Sequence, residues 1–417
     1  MFVEHRIRCR HDSTPPPGWL IGLFIASLAL GTDEFVIAGL LFELSTDLRI
    51  STGTAGQLVT VFALVFALSA PAMAMLLNPY PRRRVILIAL AVFTVANVLA
   101  AVAPTFAVLV ALRAVAGLAA AVVSSLAFAI ASEAAPRDQQ GRYLSAVTAG
   151  LTVALFTGVP VGTWLGGLLG WRATFVLIAV VAAGAMTLLA VGLPQLTGAP
   201  AISLRERLSP LRNRPVLRLV VAVFLSGVGG LMFYSYLSAL LHQHQGDTKA
   251  LPWVLLIVGI IGVPSVFFGG TLADRHGSRV SRLTVIGGHA IALALNATLF
   301  ALRAPFFVVL LGIGVWAVFA WALNPPMQAG VIEAAPEAAM TAISLNIAGL
   351  YLGTAAGAAA GGFIADGPGP LWIPVAGTVA LTAAWASATF RTQAAAKSPG
   401  TARSASPAAD ALAGDRP

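Results

Sequence analysis

Charge is scarce in this sequence. Lys, Arg, Asp and Glu make up 10% of its 417 residues, against about 25% in an ordinary soluble domain. So few charged groups cannot cover a water-soluble globule of this size. Cysteine is scarcer still. Cys9 is the only one, which excludes a disulfide framework and a cysteine-ligated metal cluster. His242 and His244 are the only close histidine pair, too small a set for a metal site. No G-x-x-x-x-G-K-[ST] loop is present to cradle a nucleotide's phosphates, so neither a cofactor nor ATP drive is expected. No nucleophile–base pairing or metal constellation stands out, and the chain is not read as an enzyme. The period-two alternation of a membrane barrel is missing as well.

What the chain has in excess is apolar length. Hydrophobic residues form 58% of it and the mean hydropathy is +0.88. Many runs reach the roughly 18 residues that cross a bilayer as a helix. Prolines, glycines and charges divide them into twelve spans. These are 19–41, 54–77, 85–103, 106–131, 143–165, 173–193, 217–241, 251–272, 280–302, 306–330, 339–363 and 371–390. The first follows Arg6, Arg8 and Arg10 but is too long, and carries Asp33 and Glu34, so it is read as a retained helix and not a cleaved signal.

The net charge of +9 is topogenic on this reading. With the N-terminus inside, 20 basic residues fall in cytoplasmic segments. Only Arg49, Arg172, Lys249 and Arg303 fall outside, as the positive-inside rule requires. Both termini are expected in the cytoplasm of a multi-pass plasma-membrane protein, and nucleic acid is not expected as a partner. Six of the eight tryptophans lie near span ends, as an interfacial belt predicts; Trp316 and Trp321 lie inside span ten. The implied organisation is a cytoplasmic tail 1–18, a six-helix bundle 19–193 and a cytoplasmic loop 194–216. A second bundle 217–390 and a disordered, Ala/Ser/Pro-rich cytoplasmic tail 391–417 complete it.

The halves resemble each other. Ala103-Pro104-Thr105-Phe106 is echoed by Ala304-Pro305-Phe306-Phe307, and Glu133-Ala134-Ala135-Pro136 by Glu333-Ala334-Ala335-Pro336. Span five carries Gly150, Ala154, Gly158, Gly162 and Gly166. Span eleven carries Gly349, Gly353, Gly357 and Gly361. Small residues at every fourth position form one stripe on a helix, against which a second backbone can lie close in lipid. Two like-oriented halves joined by a basic loop match the parallel-repeat plan of a transporter class, in which the halves rock to give alternating access.

The loop Gly270-Thr271-Leu272-Ala273-Asp274-Arg275-His276-Gly277-Ser278-Arg279 is similar to the G-x-L-a-D-r-x-G-x-r signature of the major facilitator superfamily. The resemblance covers about Trp19 to Phe390. It is nearest to the twelve-helix drug:proton antiporter branch, which includes sugar and chloramphenicol exporters. It implies an all-α integral membrane protein with the major facilitator fold. It also implies a gating role for Gly270, Asp274, Arg275, Gly277 and Arg279; a solvated charged turn is the alternative. The first-half counterpart, Asn78 to Arg84, keeps the basic run but lacks the glycine and the aspartate. Arg113 with Gly117 resembles the family's R-x-x-x-G. Gly158-Val159-Pro160-Val161-Gly162, followed by Gly166 and Trp171-Arg172, is similar to the antiporter signature, and the proline permits a bend. That signature favours export.

Of sixteen acidic residues, only Asp33 and Glu34 lie deep within a span. Intramembrane carboxylates mark ion or substrate pathways, and a carboxylate balanced between burial and a nearby cation can exchange a proton near neutral pH. Neighbours on a helix point about 100° apart. Glu34 shares its face with Ser27, Gly31 and Ala38, and Asp33 points toward Ala26 and Leu30. Glu34 is therefore preferred as the proton carrier, in agreement with the family resemblance at Glu34-Phe35, with Asp33 second; a carboxylate bonded structurally to another helix is the alternative. Arg113, the one cation deep within these spans, is the named partner unless it snorkels to the headgroups.

By analogy with the family, spans one, four, seven and ten line the cavity. They offer Phe233, Tyr234, Tyr236, Trp316, Trp321 and Asn324 as substrate contacts, with aromatic faces suited to amphiphilic or cationic ligands. Lipid-facing or packing roles are the alternative for each. Asn97 and Asn296 are expected to hydrogen-bond between helices. The expected activity is export of small organic, drug-like molecules driven by the proton gradient, by a monomer embedded in lipid. Sugar or metabolite efflux and uncoupled facilitation are the alternatives, and a non-transporting sensor is the remotest.

Overall fold

The computed structural model describes residues 17–136, 139–198 and 204–389. The basic tail with Cys9, Arg137, and the 391–417 tail lie outside the described residues. Helices account for nearly all of the described chain, with no strand among the described residues.

Among the described residues, ten helices are long and apolar enough to cross a bilayer. One of them, Leu251–Ala301, is broken at Gly277, whose φ of 77° and ψ of 158° are non-helical. A shorter apolar helix, Trp372–Ala388, completes a set of twelve spans. We number these as follows. α1 joins Gly18–Phe35 to Ile37–Leu48; α2 is Thr52–Leu77, α3 Arg82–Ala101 and α4 Phe106–Glu133. α5 joins Gln140–Val153 to Val159–Leu169 through a π-turn, Ala154–Gly158, and α6 is Trp171–Gly192. α7 joins Arg214–Ser235 to Leu237–Gln245; α8 and α9 are 251–276 and 278–301. α10 joins Phe306–Trp321 to Asn324–Ala334, α11 is Ala339–Asp366 and α12 is Trp372–Ala388.

The ends follow local chemistry. Ser51 and Thr105 cap α2 and α4 by accepting from the N–H of Thr54 and Val108. Pro215 and Pro252 sit in first turns, where the missing N–H costs nothing. α1 and α7 run further than the sequence suggested. Ser45 and Thr46 satisfy their hydroxyls on the Phe42 carbonyl, and α7 ends only at Gly246, in the left-handed region at φ 85°. Pro325 and Pro326 break α10 after Trp321, where a residue with an N–H would have continued it.

The glycine stripes do what their spacing implies. On α5, Gly150 lies against Phe24 and Ser27 of α1, Gly158 against Thr32, and Gly166 against Leu40. On α11, Gly349, Gly353 and Gly357 lie against Val220, Phe224 and Val228 of α7. The halves meet where α2 runs along α11 and where Gly259 of α8 abuts Leu155 and Phe156 of α5. Asn296 bonds across helices, from its amide to the Gly312 carbonyl of α10 at 2.9 Å. Asn97 departs from expectation: its amide donates to the Phe93 carbonyl on its own helix at 3.0 Å.

Candidate transport site

α1 bends at Val36, just past Asp33 and Glu34, and the two carboxylates diverge to different partners. Asp33 turns into the first half. Its Oδ1 accepts from Nη1 of Arg113 at 2.7 Å, and its carbonyl accepts from Nη2 at 3.2 Å. Both side chains are buried, at 0% and 1% exposure. The guanidinium also lies over the Phe62 ring of α2, 4.3 Å from its centroid. A buried charge needs a partner and hydrogen bonds to be tolerated, and Arg113 has both. It therefore does not snorkel.

Glu34 turns toward the other half. Its Oε2 accepts from the Tyr351 hydroxyl of α11 at 2.8 Å. Phe35, Ala38, Val59, Phe62, Leu231 and Tyr234 surround it in a cavity between the halves with about 10 Å³ of free space, room for about one water. That space is too tight for a substrate. A larger recess of about 180 Å³ lies between α1, α5 and α6, but only Thr32 and Thr157 among its lining side chains are polar. The smaller cavity holds the chemistry.

The aromatic candidates divide. Tyr234 lines the cavity, meets Phe35 edge-on at 5.8 Å and stacks on Trp316 at 6.3 Å. Trp321 meets Phe35 across the halves at 5.7 Å. Phe233 and Trp316 are sealed against each other at 5.0 Å in the second-half core. Tyr236 donates to the Ala358 carbonyl of α11 at 2.8 Å. These three face helix packing and not the cavity, which corrects that expectation: Tyr236 is wedged between α11 and Gly56 of α2, and of the three α7 aromatics only Tyr234 lines the cavity. Asn324 is half-buried at the α10 break. Phe35 and Tyr351 were not singled out from the sequence. Phe35 was visible as the neighbour of Glu34, and Tyr351 as a lone phenol in a stripe of glycines.

The signature loop turns at Gly277, with Asp274 and Arg275 exposed. Order around it comes from residues just beyond. Ser278 donates to Oε2 of Glu333 at 2.5 Å, and Arg279 to the Thr389 carbonyl at 2.9 Å. Arg282 donates to the Ala388 carbonyl and to Ser278. The first half repeats this corner 200 residues earlier: Arg82 bonds Glu133 at 3.0 Å and Asn78 at 2.8 Å. Gly270 is half-buried near Pro325. Gly158 and Gly162 give α1 its close approach to α5, and Pro160 sits in the first turn after the π-turn.

At the end of the bundle opposite Gly18 of α1 and Ala388 of α12, Asp366 of α11 accepts from the Ser51 hydroxyl at 2.6 Å and the Gly53 N–H at 2.9 Å, at the start of α2. Phe42 of α1 lies against His242 of α7 at 4.5 Å. The halves are thus held together at that end.

The family profile described as Major Facilitator Superfamily matches residues 23–339. The inner membrane transport protein YdhP of Escherichia coli (strain K12) is 31% identical over 370 residues, covering 86% of this chain and 92% of that protein. A chloramphenicol resistance protein of Streptomyces lividans is 33% identical over 376 residues, covering 86% and 92%. Among solved structures, a bacterial homologue of the human lysosomal transporter Spinster, inward-facing and occupied, superposes with a TM-score of 0.74 at 16% identity. It covers 88% of this chain and 95% of that one. With twelve spans in two repeated halves, a carboxylate at their seam and relatives matched over most of their length, the chain belongs to the major facilitator superfamily of membrane transporters.

Proposed function

We propose that this transporter exports small organic molecules, drug-like or amphiphilic, in exchange for protons, and that Glu34 carries the proton. The observation that carries this reading is the division of labour between adjacent carboxylates. Arg113 already neutralises Asp33. Glu34 faces the cavity between the halves, held by a neutral phenol. A carboxylate free of a fixed cation can take up a proton or a substrate's positive or hydrogen-donating group, but not both at once. Competition for one group is sufficient to couple two fluxes.

The cavity favours substrates with an apolar or aromatic body. Phe35 and Tyr234 line it and Trp321 packs on Phe35 behind them; an aromatic pair is worth about 0.5–1.5 kcal/mol beyond area burial. The relative named for chloramphenicol resistance agrees with export of such compounds. The proton gradient is the energy source, supplying about 2.3 kcal/mol per charge per 100 mV from its electrical part. No cofactor or nucleic acid enters, and the protein works as a monomer in the plasma membrane with both termini in the cytoplasm.

The test uses inverted vesicles bearing an imposed proton gradient and a pH dye. Lipophilic cations, chloramphenicol-like neutrals and sugars are added in turn. One class should release protons with the wild type and fail with Glu34→Gln. Equal movement of a compound by both proteins, without protons, would sink the coupling reading and leave a facilitator.

A further inference from the structure

An exchanger dissipates its gradient if the empty carrier changes sides, so something must hold the carrier still when neither proton nor substrate is bound. We propose that Tyr351 does this. It is a positioning residue whose hydroxyl ties the unprotonated, unoccupied Glu34 of the first half to α11 of the second, keeping the end of the bundle at Ser51 and Asp366 closed. The inference rests on Glu34 as the proton site.

Three observations carry it. The tie crosses the halves: Glu34 is on α1, and the Tyr351 hydroxyl donates to it from α11 at 2.8 Å. The ring touches the first half as well, stacked on Phe66 of α2 at 4.1 Å and 19°, so Tyr351 lies at the seam itself. The tie also lies on the line along which the halves close. The same α11 reaches α2 again at Gly362 beside Gly53 and ends at the Asp366 contacts with Ser51 and Gly53. Opening that end must part α11 from α2 along this whole line.

The switch is the charge on Glu34. A hydrogen bond to an ionised carboxylate is roughly twice as strong as one between neutral groups. Protonation therefore weakens the tie, and a substrate group occupying the carboxylate replaces it. Either event permits opening, and the bare carboxylate forbids it. The ionisable and charged groups facing Glu34 are few. Asp33 is its neighbour on α1, Arg113 on α4 is paired with Asp33, and Tyr234 on α7 and Tyr351 on α11 are phenols. From α2 it meets Val59, Phe62 and Ala63, none of them ionisable.

The experiment measures closure directly. In a Cys9→Ser background, nitroxides at Thr46→Cys and Gln243→Cys, on α1 and α7 at the tied end, report their separation by electron spin resonance in lipid nanodiscs without substrate. The wild type should be closed at alkaline pH and gain an open population at acid pH. Tyr351→Phe, which keeps the ring and removes the hydroxyl, should lose this pH step and show the open population at both. Phe66→Leu, which removes the stacking partner only, should keep the step. A step surviving in Tyr351→Phe but lost in Glu34→Gln overturns the tie alone. Loss of the step in Phe66→Leu also overturns it, by assigning the effect to ring packing. A step surviving in Glu34→Gln overturns the proton site, and with it the charge switch.

Discussion

Replacing Asp33 by Asn should destabilise the protein far more than replacing its neighbour Glu34 by Gln. The Arg113–Asp33 pair is fully buried at 2.7 Å. At that separation, unit charges attract by about 6 kcal/mol at an effective dielectric near 20. Desolvation offsets much of this while the pair is intact, but removing one partner strands the other, at about 3–5 kcal/mol. The Asp33→Asn change would leave the Arg113 guanidinium with neutral acceptors and the Phe62 ring. The Glu34→Gln change still offers Tyr351 an acceptor, so it costs about 1 kcal/mol. The difference, about 2–4 kcal/mol, is roughly 30- to 900-fold in the unfolding equilibrium. It is measurable by titrating SDS into dodecylmaltoside-solubilised protein and following tryptophan fluorescence. The paired change Asp33→Leu with Arg113→Met should recover most of the loss, because apolar residues of similar volume replace buried pairs at little cost. Equal midpoints for Asp33→Asn and Glu34→Gln, or no recovery in the double variant, would refute the reasoning.

Three further outcomes follow from the geometry. Gly357→Leu drives a side chain into the Val228 backbone of α7. It should cost about 1–3 kcal/mol, whereas Gly184→Leu, on the open face of α6, should be neutral in the same SDS titration. Tyr236→Phe removes the donor to the Ala358 carbonyl and should cost about 1 kcal/mol without changing substrate competition in vesicles, while Trp321→Ala should weaken that competition. Asp366→Asn loosens the clasp on the start of α2, and should raise the labelling rate of a cysteine introduced by Ala38→Cys with a membrane-impermeant maleimide; an unchanged rate would show that the clasp does not restrain that end.

Much of the frame is legible in the chain because a bilayer leaves helices few choices. Unpaired backbone is excluded from hydrocarbon, so long apolar runs fix the spans, and small residues at every fourth position fix which helices lie close. The bends were less legible. The breaks at Val36 and Tyr236 carry neither glycine nor proline, and only the tertiary contacts of α1 and α7 place them. The site was half legible. An ionisable residue in a span announces itself, so Asp33, Glu34 and Arg113 were all visible, and the 100° step between neighbours required the two carboxylates to diverge. Which one met the arginine was not visible, because that depends on how α4 is rotated against α1. Tyr351 escaped because a tyrosine among glycines reads as packing until its hydroxyl is seen to cross the seam.

The repeat sharpens this division. Positions 200 residues apart share structural roles: the bends at Val36 and Tyr236, the glycine contacts at Phe24 and Phe224, and the corner arginines Arg82 and Arg282 with Glu133 and Glu333. At the site the correspondence of position holds but the chemistry changes. Asp33 and Glu34 correspond to Phe233 and Tyr234, and Arg113 falls opposite Ile313 and Gly314, neither of them charged. One half presents a charged wall and the other an aromatic wall at equivalent places in a common frame. A symmetric cavity with carboxylates on both walls would repel itself when closed and bind two protons for each cavity. With charge on one wall only, closure brings a carboxylate against phenols and indoles, which costs no repulsion. In the proposed exchange the proton and the substrate's polar group meet the first half, the substrate's apolar body meets the second, and competition for Glu34 takes place at the seam that must open.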